Sequence, residues 1–140
     1  MKKNLYFLLL GMAGLLLCTT ARAQILVIAN PSVKAADISR ADLRDVFTGA
    51  SSSLSDGSHV TPVLLRSGPT NDVFLSLYVG KSDSAFRTGW RSLLFSGQGV
   101  MPRTLDSEAA VVDYVAHTPG AVGYISKTSP HDGVKILTVR

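Results

Sequence analysis

Five consecutive apolar residues, Ile25-Leu26-Val27-Ile28-Ala29, halted by Asn30-Pro31, constrain this chain more than any other feature. A run without polar alternation reads as a strand buried on both faces, and such strands belong to sheets covered by helices. Helices follow. Ser39 caps one that runs to Phe47, with Asp42 three residues on in the manner of a capping box, Leu43, Val46 and Phe47 on one face, and Gly49 as its stop. Ala50 to Ser58, with Asp56-Gly57, is a turn or exposed loop. Val60 to Leu65 is a second strand, and Pro62 puts this part at a sheet edge or at the strand's start. Asn71 to Val79 has Val73, Phe74, Leu77 and Tyr78 at helical spacing and ends at Gly80. Ser82 caps a further helix with Phe86, Trp90, Leu93 and Leu94 as its apolar face, where Trp90 reads as core packing ahead of ligand stacking. Ser96-Gly97-Gln98-Gly99 lacks the spacing and lysine of a P-loop and reads as a connection. Asp106 or Ser107 caps a helix through Val115, and Ala121 to Ile125 and Val134 to Val139 close the chain as a strand pair. The order is an α/β pattern in which helices cover a mixed sheet.

The first 23 residues read differently. Lys2 and Lys3 precede an apolar block from Leu5 to Cys18, and Ala21-Arg22-Ala23 supplies small residues for cleavage, so residues 1–23 are expected to be a signal peptide. The block has 14 residues, short of the roughly 20 that a spanning helix needs. Leu17 before Cys18 is not the small residue of a lipid-attachment site, so Cys18 is expected to leave with the leader. Residues 24–140 then form one domain, exported to the periplasm or secreted, without a disulfide framework. The formal charge of +4 includes Lys2, Lys3 and Arg22; residues 24–140 hold eleven bases against ten acids. That balance, with no basic cluster, leaves no footprint for nucleic acid. His59, His117 and His131 stand far apart beside turn residues, which favours exposed loops over a metal site. No metal or cofactor is expected.

The segment with chemistry in it is Leu64-Leu65-Arg66-Ser67-Gly68-Pro69-Thr70-Asn71-Asp72-Val73-Phe74, where a strand ends in a short polar loop and a helix begins. Arg66 offers a charged fork, Ser67 and Thr70 offer hydroxyls, and Gly68 and Asn71 offer backbone N–H groups at a helix start, a donor set suited to an oxyanion. In the plainer reading Thr70 only caps the helix and Arg66 is solvated. Asp72 is the one carboxylate in the segment, and Ser67 has neither a nearby histidine nor a Gly-x-Ser-x-Gly elbow, so no enzyme is expected.

Six landmarks in order carry a family resemblance over nearly all of residues 24–140. They are Ile28-Ala29-Asn30-Pro31; Leu43-Arg44-Asp45-Val46-Phe47-Thr48-Gly49; Asp56-Gly57 before a Val-rich strand; Arg66-Ser67-Gly68-Pro69-Thr70 with Phe74; Phe86 to Trp90 leading to Phe95-Ser96-Gly97; and Thr118-Pro119-Gly120-Ala121-Val122-Gly123-Tyr124. The chain resembles small single-domain relatives of the periplasmic phosphate-binding proteins, the solute-binding components of phosphate ABC transporters. The resemblance implies a single lobe of a type II periplasmic-binding-protein-like α/β fold, with Arg66 as the family's arginine, Thr70 as its threonine and Ser67 or Gly68 in the intervening turn. The Arg-to-Thr loop is shorter here than in the family, and Pro69 removes an N–H that the usual glycine offers. Its implied role is to bind phosphate or a related oxyanion in connection with ABC-type transport or sensing. The implied partners are an ABC permease or another envelope protein, or a second copy that supplies the missing half. The competing expectation is an interaction module that kept the lobe's fold and lost the ligand.

Overall fold

The computed structural model describes residues 24–140. The expected signal peptide, residues 1–23, lies outside the described residues. In chain order the elements are β1 (Ile25–Ala29), β2 (Asp37–Ile38), α1 (Arg40–Thr48), β3 (Thr61–Leu65), α2 (Pro69–Phe74) continuing into a π-helical turn (Leu75–Val79), α3 (Asp83–Phe95), β4 (Arg103–Leu105), α4 (Glu108–His117), β5 (Ala121–Ser126) and β6 (Lys135–Val139). Six strands form one mixed sheet in the order β2-β6-β1-β5-β3-β4. β1 is antiparallel to both neighbours, β3 is parallel to both of its own, and β2 is parallel to β6.

The apolar run of β1 therefore sits in mid-sheet, where its residues have a strand on each side and side chains on each face. This corrects one expectation, because β5 and β6 do not pair with each other. Both run antiparallel to β1, so they are parallel to one another and cannot be a hairpin; β1 separates them. Pro62 lies at the second residue of β3, with β4 outside it, so the proline marks the strand's start.

The two faces of β5 show how the layers close. Gly123 faces α4, and its missing side chain lets the helix approach: a Cβ there would stand 2.9 Å from Val111 Cγ1 and 3.3 Å from Val115 Cγ2. Tyr124 faces the other way and stacks on Phe74 with ring centroids 3.8 Å apart, while Phe47 meets both edge-on at 4.9 and 5.6 Å. Trp90 is buried in the core as expected, and its Nε1–H donates to Phe47 O at 2.9 Å.

Local signals hold in part. Ser39 Oγ accepts from Asp42 N–H and Gly49 ends α1 at φ 81°, yet the Asp42 carboxylate turns to Ser55 instead of back to the cap, so only half of the capping box forms. The helix expected over residues 71–79 begins at Pro69, with Gly68 and not Thr70 as its N-cap. Its expected apolar stripe is also corrected. The π turn adds a residue to the repeat, so Phe74, Leu75 and Val79 are buried while Leu77 is exposed.

Candidate functional site

The loop from β3 to α2 opens on a cleft of about 310 Å³ lined by Leu65 to Thr70 on one side and Asp106, Ser107 and Glu108 on the other. Parallel pairing of β3 with β4 brings the two walls together, because both strands end at this rim. Arg66, Ser67, Gly68 and Thr70 all line the cleft. Asn71 does not. Its side chain is buried beneath, where Oδ1 accepts from Tyr124 O–H at 2.6 Å and Nδ2 donates to Asp83 Oδ1 at 2.8 Å. The first helical bond of α2 joins Asp72 N–H to Gly68 O, leaving the N–H groups of Thr70 and Asn71 ahead of it, since Pro69 has none.

Each side-chain donor of the loop already meets a carboxylate. Arg66 Nη2 pairs with Asp106 Oδ1 at 3.0 Å, Ser67 Oγ donates to Asp83 Oδ2 at 2.8 Å, and Thr70 Oγ1 lies 3.4 Å from Glu108 Oε2. The expectation that Asp72 is the carboxylate of this junction is corrected: Asp72 is exposed and outside the cleft lining, and Asp106 and Glu108 arrive from the far side of β4. Glu108 is further fixed by Ser126 N–H and by Ser129 Oγ at 3.0 Å, so it joins the start of α4 to the segment after β5.

Below the cleft a polar network fixes the loop's height. Leu65 N–H donates to Tyr124 Oη at 3.0 Å, and Arg87 Nη2 donates to Leu65 O at 3.1 Å while its Nε holds Asp83 at 3.1 Å. Burial pushes the pKa of the Tyr124 hydroxyl up to about 12, so it stays protonated and donating at neutral pH. For Asp83 burial acts upward, but hydrogen bonds from Ser67 and Asn71 and the Arg87 charge outweigh it and lower the pKa. A lowered carboxylate stabilises the fold above its unfolded value of about 3.9 and loses that contribution as pH falls through the folded value. Urea unfolding should therefore show stability declining below about pH 4, and Asp83→Asn should flatten that acid limb; an unchanged slope would remove Asp83 from the account.

Of these groups, Asp83, Arg87, Asp106, Glu108 and Tyr124 were not read as site residues from sequence. Asp106, and Ser82 beside Asp83, carried only cap signals, and nothing local tied them to Arg66. Of the three histidines expected in exposed loops only His59 is so placed: His117 is exposed but is the last residue of α4, and His131 is half-buried against Ser129 O. Among the described residues no three potential ligands gather for a metal ion, and no helix is long and apolar enough to cross a membrane.

The same architecture occurs in solved structures. The phosphate-bound structure of a Clostridium perfringens protein assigned as a phosphate ABC transporter substrate-binding protein matches with a TM-score of 0.63 at 20% identity, over 82% of this chain and 44% of that one. An ABC-type phosphate transport receptor from Vibrio cholerae matches with 0.62 at 19%, over 82% and 45%. PstS from Borrelia burgdorferi matches with 0.62 at 18%, over 83% and 47%. The fold is periplasmic-binding-protein-like. The chain spans less than half the length of these three proteins, as expected for a single lobe. No protein-family model matches the sequence, and no curated protein matches it.

Proposed function

We propose that the chain is an exported, phosphate-binding-protein-like lobe that holds phosphate or a related oxyanion in the cleft at Arg66, Ser67, Gly68 and Thr70, with Asn71 lending its backbone N–H. The observation that carries this reading is the placement of Arg66, two hydroxyls and free helix-start N–H groups around one cleft, in a fold shared with a phosphate-bound protein. The reading is of a binding protein in ABC-type transport or sensing, in the periplasm or outside the cell, and not of an enzyme.

An anion entering the cleft takes Arg66 from Asp106. The two side chains are 69% and 75% exposed, and a pair so solvated is worth only about 0–1 kcal/mol, so the exchange costs little. Ser67 and Thr70 donate to carboxylates at rest, so a bound anion draws their hydrogens from Asp83 and Glu108 as it draws Arg66 from Asp106. A carboxylate of the cleft wall, Asp106 or Glu108, is then an acceptor for the proton of an oxyanion that still carries one. Phosphate at neutral pH does; sulfate does not.

Titration calorimetry at low salt should show saturable phosphate binding and weaker sulfate binding, with Arg66→Ala lowering phosphate affinity by about tenfold or more, the scale of one charge-assisted bond. Absence of heat from both anions, with the fold intact, would overturn the reading. The competing interaction-module reading draws on one observation, that every side-chain donor of the loop is already engaged within the chain.

A further inference from the structure

The segment from Gln98 to Pro102 links α3 to β4 and walls a groove of about 670 Å³ against the loop after α1 and the start of β3. Parallel pairing sets its place. β3 and β4 both end at the Arg66 cleft, so both begin at the opposite end of the sheet, where Thr61, Pro62 and Arg103 line the groove. Groove and cleft share no lining residue.

The groove is largely apolar and carries one cation. Val46, Val60 and Trp90 reach it from the buried core, and Val100 and Met101 stand at its mouth, 87% and 36% exposed. No aspartate or glutamate lines it. Arg103, which cannot be deprotonated in a protein, lies with its guanidinium carbon 5.3 Å from the centre of the Tyr114 ring and, among the described residues, makes no ion pair. The ring holds the guanidinium at the groove while its N–H fork stays without a carboxylate.

Size and charge together select the occupant. Small-molecule sites enclose roughly 300–1,000 Å³ and are mostly apolar, with a few polar groups that fix orientation. An apolar body in this groove covers Val100, Met101 and the edge of Trp90, and one planar anion meets the Arg103 fork, to which carboxylate geometry is matched. A cationic amphiphile of the same shape finds no acid there and is repelled by Arg103. We propose that the groove is a second binding site, for a small amphiphilic carboxylate of the fatty-acid type, whose head pairs with Arg103 and whose chain lies along Val60, Trp90 and Met101.

Trp90, the one tryptophan in the sequence, reports on the groove directly. Decanoate, titrated into the protein below its micellar range, should shift Trp90 emission saturably, with calorimetry reading the same titration; decyltrimethylammonium should bind far more weakly. Arg103→Glu should weaken decanoate binding by about tenfold or more, because an attractive pair becomes a repulsive one. It should also invert the preference, so that the cationic amphiphile binds better, a gain that loss of the fold cannot produce. Saturating inorganic phosphate should leave decanoate affinity unchanged, because the two sites share no residue. No saturable signal from decanoate by either method, equal binding of the two amphiphiles, decanoate bound as well by Arg103→Glu as by the parent, or competition from phosphate would each overturn the assignment. Phosphate titrated alone reads the Arg66 cleft separately, so either site can fail without the other.

Discussion

Replacing Asn71 with alanine is expected to cost about 2–6 kcal/mol of folding stability, read as a lower urea midpoint at unchanged slope. The side chain is fully buried, and of its two partners Tyr124 O–H has no solvent to fall back on, whereas Asp83 is a quarter exposed. Tyr124 O–H loses its acceptor, and Asp83 loses a donor that offsets its partial burial. Two bonds worth about 0.5–1.5 kcal/mol each are removed, and the orphaned hydroxyl adds about 1–3 kcal/mol. Tyr124→Phe should also destabilise, since it strips Leu65 N–H of its acceptor. Both substitutions delete the same Tyr124–Asn71 bond, so the double variant should lose less than the sum. A loss below about 0.5 kcal/mol for Asn71→Ala, within the range of an ordinary surface change, would show that the network is not what holds the loop.

Gly123→Val is expected to cost about 1–3 kcal/mol and lower Tm by several degrees, because the site is already filled by its neighbours. The backbone there needs no left-handed conformation; what it needs is space. The new Cβ would lie 2.9 Å from Val111 Cγ1, and Val111 is a β-branched residue on α4 with essentially one helical rotamer, so it cannot swing aside. The helix must lift instead. Its first residue is Glu108, on the wall of the cleft, so the same substitution should also weaken the phosphate binding proposed for that cleft. Adding Val111→Ala should restore most of the melting temperature; if it does not, the close approach of β5 and α4 is not the source of the loss.

Much of the fold was legible because its signals are local. β1 announced itself by five apolar residues, α1 and α3 by serine caps whose hydroxyls accept from the third residue on, and Trp90 by its place on an apolar face. β2 and β4 were not legible, since two or three residues such as Arg103-Thr104-Leu105 carry no periodicity and exist as strands only through their neighbours. Leu77 was misplaced because a π turn follows from packing and leaves no mark on a 3.6-residue pattern. The cleft divides in the same way. Arg66 to Thr70 could be read as one contiguous loop, whereas Asp83, Asp106 and Glu108 reach it through α3 and β4, by contacts of 16 and more residues in separation that no local pattern encodes.

The position of β1 has a consequence for when the protein can fold. Its first residue pairs with Ser126 and its last with Lys135, so the central strand of the sheet is made first and its partners are made last. Closing a loop that long has to precede any of the pairing that rewards it, which places the sheet among slow, non-local topologies. Until β5 and β6 have been made, the growing chain holds helices and a parallel β3–β4 pair at most, without the strands that flank β1. A polypeptide kept open in that way leaves the apolar face of β1 without cover, and its core closes only once both flanking strands have been made.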